Sequence, residues 1–206
     1  IGTVVGLKSP AHPYLPQSIT LPLKPGAPQY TRPGQFAARL GTQHDPLYVM
    51  VDQEDPQKFA APAIELKKDI SVDRLVSRRQ LLDDFNQAER AFDEFANVGS
   101  LRTFQDKAFS LLRSSQGKNA FDLSGESESV IERYGKTHNG MSMLMARRLV
   151  EAGVPFVSVF WRGNKKLAEA KKCKSGGGWD THGNNFGCLK EVLLPELDLS
   201  FSALLE

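Results

Sequence analysis

A carboxylate and an imidazole stand two residues apart in the stretch Gly176-Gly177-Gly178-Trp179-Asp180-Thr181-His182-Gly183-Asn184-Asn185-Phe186. Asp180 and His182 are oxygen and nitrogen donors of the kind that hold metal ions, and the glycines around them let the backbone bend freely. Trp179 and Asn184 flank the pair and are the candidate substrate-pocket residues. A metal needs more than two protein ligands, so the remaining donors must come from elsewhere. A bare Asp-x-His also occurs as a turn carboxylate beside a surface histidine, and spacing alone does not separate the two readings.

The surrounding elements give the pair a place. Met141, Leu144, Met145 and Leu149 form the apolar stripe of a helix that Gly153 terminates. Val154 to Trp161 is a β-branched and aromatic run that reads as a buried strand, with Pro155 at its start, where a missing donor costs least. Arg162 to Gly178 is then a long polar loop. Phe186, Leu189, Leu193, Leu197, Phe201 and Leu204 define a helix that Pro195 should kink or split. Helix, apolar strand, loop, helix predicts an α/β fold with a mainly parallel sheet. Ligands of such sheets sit beyond the carboxyl ends of the strands, where Asp180 and His182 fall. The next helix begins near Asn184, and a helix N-terminus favours anions, so the corner suits a metal with a phosphate or sulfate group.

Upstream, seven prolines between Pro10 and Pro33 make residues 1 to about 66 extended and loop-rich. Ile1 to Leu7 reads as helical. Ser18 to Leu23 reads as a short strand that Pro22 confines to an edge or end, Gln35 to Leu40 as a helical turn or two, and Tyr48 to Val51 as a strand candidate. From Ser71, a plausible N-cap, the stripe Leu81, Phe85, Ala88, Phe92 and Phe95 predicts a long helix to about Asn97. Leu101, Phe104, Ala108 and Leu111 mark a second helix, and the two make a helical hairpin within residues 71–135. A short helix from about Ser127 to Tyr134 ends at Gly135. Residues 137–206 form the helix-strand-loop-helix unit. The whole chain is expected to be an internal part of one domain of a longer protein, because it lacks an initiator methionine and ends inside an apolar pattern.

The 206 residues suffice for one domain with a real core, and 40% hydrophobic with 24% charged residues is the composition of a globular protein. No apolar run approaches the ~20 residues that span a bilayer. A net charge of +2 gives no global drive toward nucleic acid. Cys173 and Cys188 are the two cysteines. They either pair across the glycine-rich loop or remain one loop thiol and one helix thiol, both inert. Arg162, Lys165, Lys166, Lys171, Lys172 and Lys174 face one acid, Glu169, and read either as an anion-steering rim or as a solvated loop. His12, His44 and His138 read as surface or structural residues, and Arg147 with Arg148 as a helix face paired to Glu151. Trp161 reads as a core or pocket residue.

Several segments carry a family resemblance: Leu144 to Val159, Trp179 to Phe186, Leu193-Leu194-Pro195-Glu196-Leu197-Asp198, Arg78 to Asp83, and Ala120 to Ser124. Together they resemble the bacterial domain-of-unknown-function family 1501 (DUF1501), over most of residues 30–206. That family is assigned to the alkaline-phosphatase-like, or sulfatase-like, superfamily. The resemblance implies an α/β/α sandwich and a divalent metal, zinc, manganese or calcium. It also implies hydrolysis of an anionic phosphate or sulfate ester, with Asp180 and His182 as metal ligands. An earlier aspartate and nucleophile and a later Asp-His pair would complete that site, and no segment of this chain matches them, so the chain alone is expected to be inactive. The alternative is a non-catalytic binding protein on the same fold. Family resemblance further suggests export to the periplasm or cell envelope.

Overall fold

The computed structural model describes residues 1–24, 34–60, 71–89, 109–110, 114–173 and 178–206. Its elements are α1 (Gly2–Lys8), β1 (Ser18–Leu21), β2 (Leu47–Tyr48), β3 (Met50–Val51), β4 (Phe59–Ala60), α2 (Val72–Glu89), α3 (Ser115–Ala120) and α4 (Glu128–Tyr134). Next along the chain come α5 (His138–Glu151), β5 (Phe156–Val159), α6 (Lys165–Ala170), α7 (Asn185–Cys188) and α8 (Leu194–Leu205). A π-helical stretch, Leu189–Leu193, joins the last two.

Three strands form a parallel sheet in the order β2-β1-β5. β3 and β4 make a separate antiparallel pair. Successive side chains of β1 point to opposite faces of the sheet. Ile19 and Leu21, fully buried, point into the main core, where Val157 and Val159 of β5 also pack. Ser18 and Thr20 point the other way, beside Phe156 and Ser158, their partners in register. That second face carries α1 and an open cleft of about 420 Å³.

α5 is the main helix of the core. Thr137 caps it, its hydroxyl accepting from the Gly140 backbone N–H at 3.1 Å. Met141, Leu144, Met145 and Leu149 are all 0% exposed and form the predicted stripe. Burying each such side chain contributes roughly 1.5–3 kcal/mol. Gly140 sits where the chain crosses itself: a Cβ there would lie 2.2 Å from the carbonyl oxygens of Tyr134 and Gly135. Beside this core, Glu126 receives hydrogen bonds from both Arg147 (3.0 Å) and Arg148 (2.5 Å). Arg147 also reaches Glu151 at 3.4 Å, the predicted pairing, whereas nothing in the sequence pattern points to the shared Glu126.

The sequence expectations hold in part. The fold is mixed α/β with a small parallel sheet, and Ser71 caps α2 by accepting from Arg74 N–H at 3.2 Å. The end of that helix beyond residue 89, and most of the second helix of the predicted hairpin, lie outside the described residues. Leu81, assigned to an apolar stripe, is 73% exposed. β1 is the middle strand of the described sheet, with Pro22 just past its end, so the proline closes the strand without exiling it to an edge. Among the described residues β5 pairs only with β1, and it is half-buried along its length, so the buried strand is corrected. Its composition matched a core strand, but only one of its flanks is paired among the described residues. The strand candidate at Tyr48 to Val51 divides between two sheets.

Two further corrections concern the C-terminal third. The segment read as a long polar loop contains α6, whose Asn164 cap accepts from Leu167 N–H at 3.0 Å. Pro195 does not break the last helix: Leu189, Leu193 and Leu194 all keep right-handed helical angles, and the irregularity is a π-helical stretch just before the proline. The π-helical stretch ends before it, and the proline takes the first turn of α8, where its missing N–H is tolerated. A π stretch fits extra residues into a turn and so rotates α7 and α8 against each other about the helix axis. The single predicted stripe therefore fails: Leu193 is fully buried, but Phe186 is 85% and Phe201 46% exposed.

Candidate functional site

The chain leaves the carboxyl end of β5 through Phe160, Trp161 and Arg162, and Asn139 of α5 holds it there. The Asn139 side chain accepts from Arg162 N–H at 2.8 Å and donates to Arg162 O at 2.9 Å and to Glu196 Oε1 at 3.0 Å. Asn139 is 1% exposed, so these bonds satisfy a polar group that would otherwise be costly to bury. It thus ties α5, the exit of β5 and α8 together. The Arg162 guanidinium is further bonded to the Gln53 side chain.

The loop bearing the candidate residues returns to this edge. Trp179 packs edge-to-face on Trp161, with ring centroids 5.6 Å apart. The Trp161 indole N–H is buried and has no hydrogen-bond partner among the described residues. Trp179 itself is 41% exposed. Thr181 is buried and donates to Asn185 Oδ1 at 2.5 Å, which fixes the turn into α7. Its hydroxyl is thereby engaged within the loop.

Between these anchors Asp180 and His182 project into solvent. Their side chains are 84% and 83% exposed, and Asp180 Oδ1 lies 2.6 Å from His182 Nδ1. The hydrogen bond and charge of His182 hold the Asp180 carboxyl below its usual range. The same hydrogen bond and the Asp180 charge raise the His182 imidazole above its own. The contact engages only one of the two imidazole nitrogens, Nδ1.

The base of the loop is closed covalently. Cys173 and Cys188 form a disulfide with an S–S distance of 2.08 Å across a sequence separation of 15. The pairing reading is the observed one, and the reading of two inert thiols is corrected. Around the disulfide, Ala168, Val192 and Leu193 make a second small core, with Leu167 and Leu189 against it. Asn184 adds a polar tie by donating to Lys172 O at 3.2 Å. Gly187 leaves room for this amide, since a Cβ there would meet Asn184 Nδ2 at 2.7 Å.

The sequence candidates therefore do come together, Trp179 to Asn184 on one closed loop beside the exit of β5. Among the described residues no third Asp, Glu, His or Cys gathers with Asp180 and His182. Two of the other histidines make hydrogen bonds to backbone. His12 Nδ1 accepts from Leu15 N–H at 3.0 Å, and His138, the first residue of α5, bonds Asp52 O at 3.1 Å. The cleft on the opposite sheet face takes in none of the candidates, and its lining, which includes Ser18, Thr20, Tyr48 and Phe156, has no acid, histidine or cysteine. Sequence reasoning missed Asn139 and the clamp at Lys172. A buried-face asparagine at the start of a helix otherwise lined by Met and Leu was the available signal for the first.

No helix of the described residues is long and apolar enough to cross a membrane. The sequence pattern of a family described as "Protein of unknown function (DUF1501)" matches residues 1–206. Neither a curated protein nor a solved structure matches the chain.

Proposed function

The chain belongs to the DUF1501 family, and on that footing we propose that it contributes two ligands to the metal centre of a phosphate or sulfate ester hydrolase with an alkaline-phosphatase-like fold. The observation that carries this reading is the Asp180–His182 contact on a disulfide-closed loop at the carboxyl edge of a parallel sheet. Two ligands at ~2.1 Å from a tetrahedral ion stand roughly 3.4 Å apart. The pair at 2.6 Å needs to open by less than about 1 Å to admit an ion between Oδ1 and Nδ1, and both side chains have the solvent space to do so. Oxygen and nitrogen donors together suit zinc or manganese better than calcium, which prefers oxygen alone.

When bound, the metal would supply Lewis-acid polarisation of the ester oxygen and neutralise developing charge. The chain's own groups have separable tasks. Asp180 orients the imidazole and favours its protonated form, so ligation by His182 must displace that proton. Trp179, braced by Trp161, walls one side of the pair. Asn184 is committed to Lys172 O, so its proposed role shifts from touching substrate to holding the loop. Asn139 and the disulfide fix the two ends of the segment, which keeps the donors near one geometry.

Metal content by mass spectrometry tests this, comparing wild type with Asp180→Ala/His182→Ala. The expected result is loss of stoichiometric metal in the variant at unchanged helical content. Equal metal in both proteins would sink the assignment. The exposure of the pair, with no third donor gathered beside it among the described residues, favours a second reading: an envelope or extracellular binding protein without turnover. Stoichiometric metal with no hydrolysis of phosphate or sulfate esters would select it.

A further inference from the structure

We infer that Lys165, Lys171 and Lys172 form a polyanion-binding rim beside the Asp180–His182 loop, so that the ester attacked is one group of a sulfated or phosphorylated polymer. This rests on the hydrolase reading above and names its substrate class. The segment Arg162 to Lys174 carries six cationic residues against one acid, Glu169. Lys165, Lys171 and Lys172 are exposed, and none of the three has an ion-pair partner among the described residues.

The structure makes this more than a solvated loop. α6 turns Ala168 inward, fully buried against the disulfide and Val192. Lys165 at its start, and Lys171 and Lys172 just past its end, are exposed. The rim is joined to the Asp180–His182 loop twice, by Cys173–Cys188 and by Asn184 bonding Lys172 O. α6 is therefore anchored to the segment that bears the candidate metal ligands.

Lys172 adds an independent sign. Its φ is +56°, the left-handed conformation. The helix end is closed there by Lys172 N–H donating to Glu169 O and Cys173 N–H donating to Ala168 O. Glycine or asparagine ordinarily occupies such a cap, because a Cβ is strained there. A lysine at this position accepts backbone strain and in return sets an ammonium at the junction of rim and loop.

The spread of charge argues for a polymer over a monoester. Lys165 to Lys172 covers roughly 10 Å at helical rise, longer than one sulfate or phosphate group. No aromatic residue interleaves these lysines, which disfavours a single-stranded nucleic acid that would stack its bases.

The test measures binding of dextran sulfate, neutral dextran and single-stranded oligothymidine at several salt concentrations. It uses wild type, Lys165→Gln/Lys171→Gln/Lys172→Gly, Lys172→Gly alone, and Asp180→Ala/His182→Ala. Wild type should bind dextran sulfate and not dextran, with affinity falling as salt rises. The triple variant should lose roughly tenfold or more in affinity, and its salt slope should drop by about one per lysine removed. Lys172→Gly, which suits the left-handed cap, should fold normally and show part of the loss. Asp180→Ala/His182→Ala should keep polymer binding, so failure of the metal reading is seen in metal content and failure of the rim in binding. Unchanged binding in the triple variant, or tighter binding of oligothymidine than of dextran sulfate, would overturn the inference.

Discussion

Leu144, Met145 and Leu149 on α5 are wholly buried, whereas Asp180 and His182 on the Cys173–Cys188 loop are more than 80% exposed. The first region is held by apolar area, over which many side chains share the stabilisation. The second holds only a handful of buried side chains around one disulfide, together with single hydrogen bonds at Asn184 and Thr181. A segment that must face water takes its order from elsewhere. Burial cannot supply it, so it is fixed by a covalent link at the segment's base and by polar ties along its length. Asn139 is the bridge between the two regimes, since it sits in the core helix and bonds the strand exit from which the loop hangs.

The largest test breaks the core. Leu149→Ala should cost about 2–5 kcal/mol, read as a lower denaturation midpoint, while the surviving folded fraction keeps its metal affinity. Next is Cys173→Ser/Cys188→Ser. Closing a loop of this length is worth up to about 3 kcal/mol in the chain-entropy account. Hydrogen exchange should show that loss at the amides of Ala168 and Val192 and leave Leu144 and Leu149 protected. Equal loss in both places would mean that the two regions open as one unit. Asn139→Ala strips three hydrogen bonds at a buried site and should cost about 1–3 kcal/mol. It alone should weaken both regions, lowering the melting temperature and increasing exchange around Trp179. The smallest effect has the opposite sign. Lys172→Gly relieves a left-handed lysine and should stabilise the α6 end by about 0.5–1 kcal/mol, measured by thermal melting.

The two regions were also unequally legible in the sequence. α5 was readable because its stripe keeps helical spacing, and α8, β5 and α4 bury it from several sides. The cap at Ser71 was readable because capping is local chemistry. The exposure of Phe186 and Phe201 was not readable, because it depends on a π-helical register change that no periodicity announces. α6 hid in a lysine-rich segment because only its two residues Leu167 and Ala168 face apolar neighbours, too few to make a period. The position of Asp180 and His182 after a strand and before a helix was legible, but their mutual contact was not. Two residues that flank one position can point together or apart, and the disulfide and the Thr181 and Asn184 ties, all of them tertiary, are what fix the turn. Residues 90–97 of the predicted long helix lie outside the described residues.

The central claim is that this loop presents Asp180 and His182 as a pair of metal ligands, and the His182 imidazole reports on it directly. Without metal, the Asp180 hydrogen bond raises its pKa. The pair's mutual stabilisation is therefore complete between the ordinary carboxylate and histidine ranges, lost as pH rises through the raised His182 value and lost as pH falls through the depressed Asp180 value. Nuclear magnetic resonance of His182 across a pH series, with and without one equivalent of zinc, is the decisive measurement. The expected result is an elevated titration midpoint in the apo protein, a fall toward the ordinary value in Asp180→Asn, and disappearance of the titration near neutral pH once zinc is bound. A His182 that titrates identically with and without saturating zinc would contradict it.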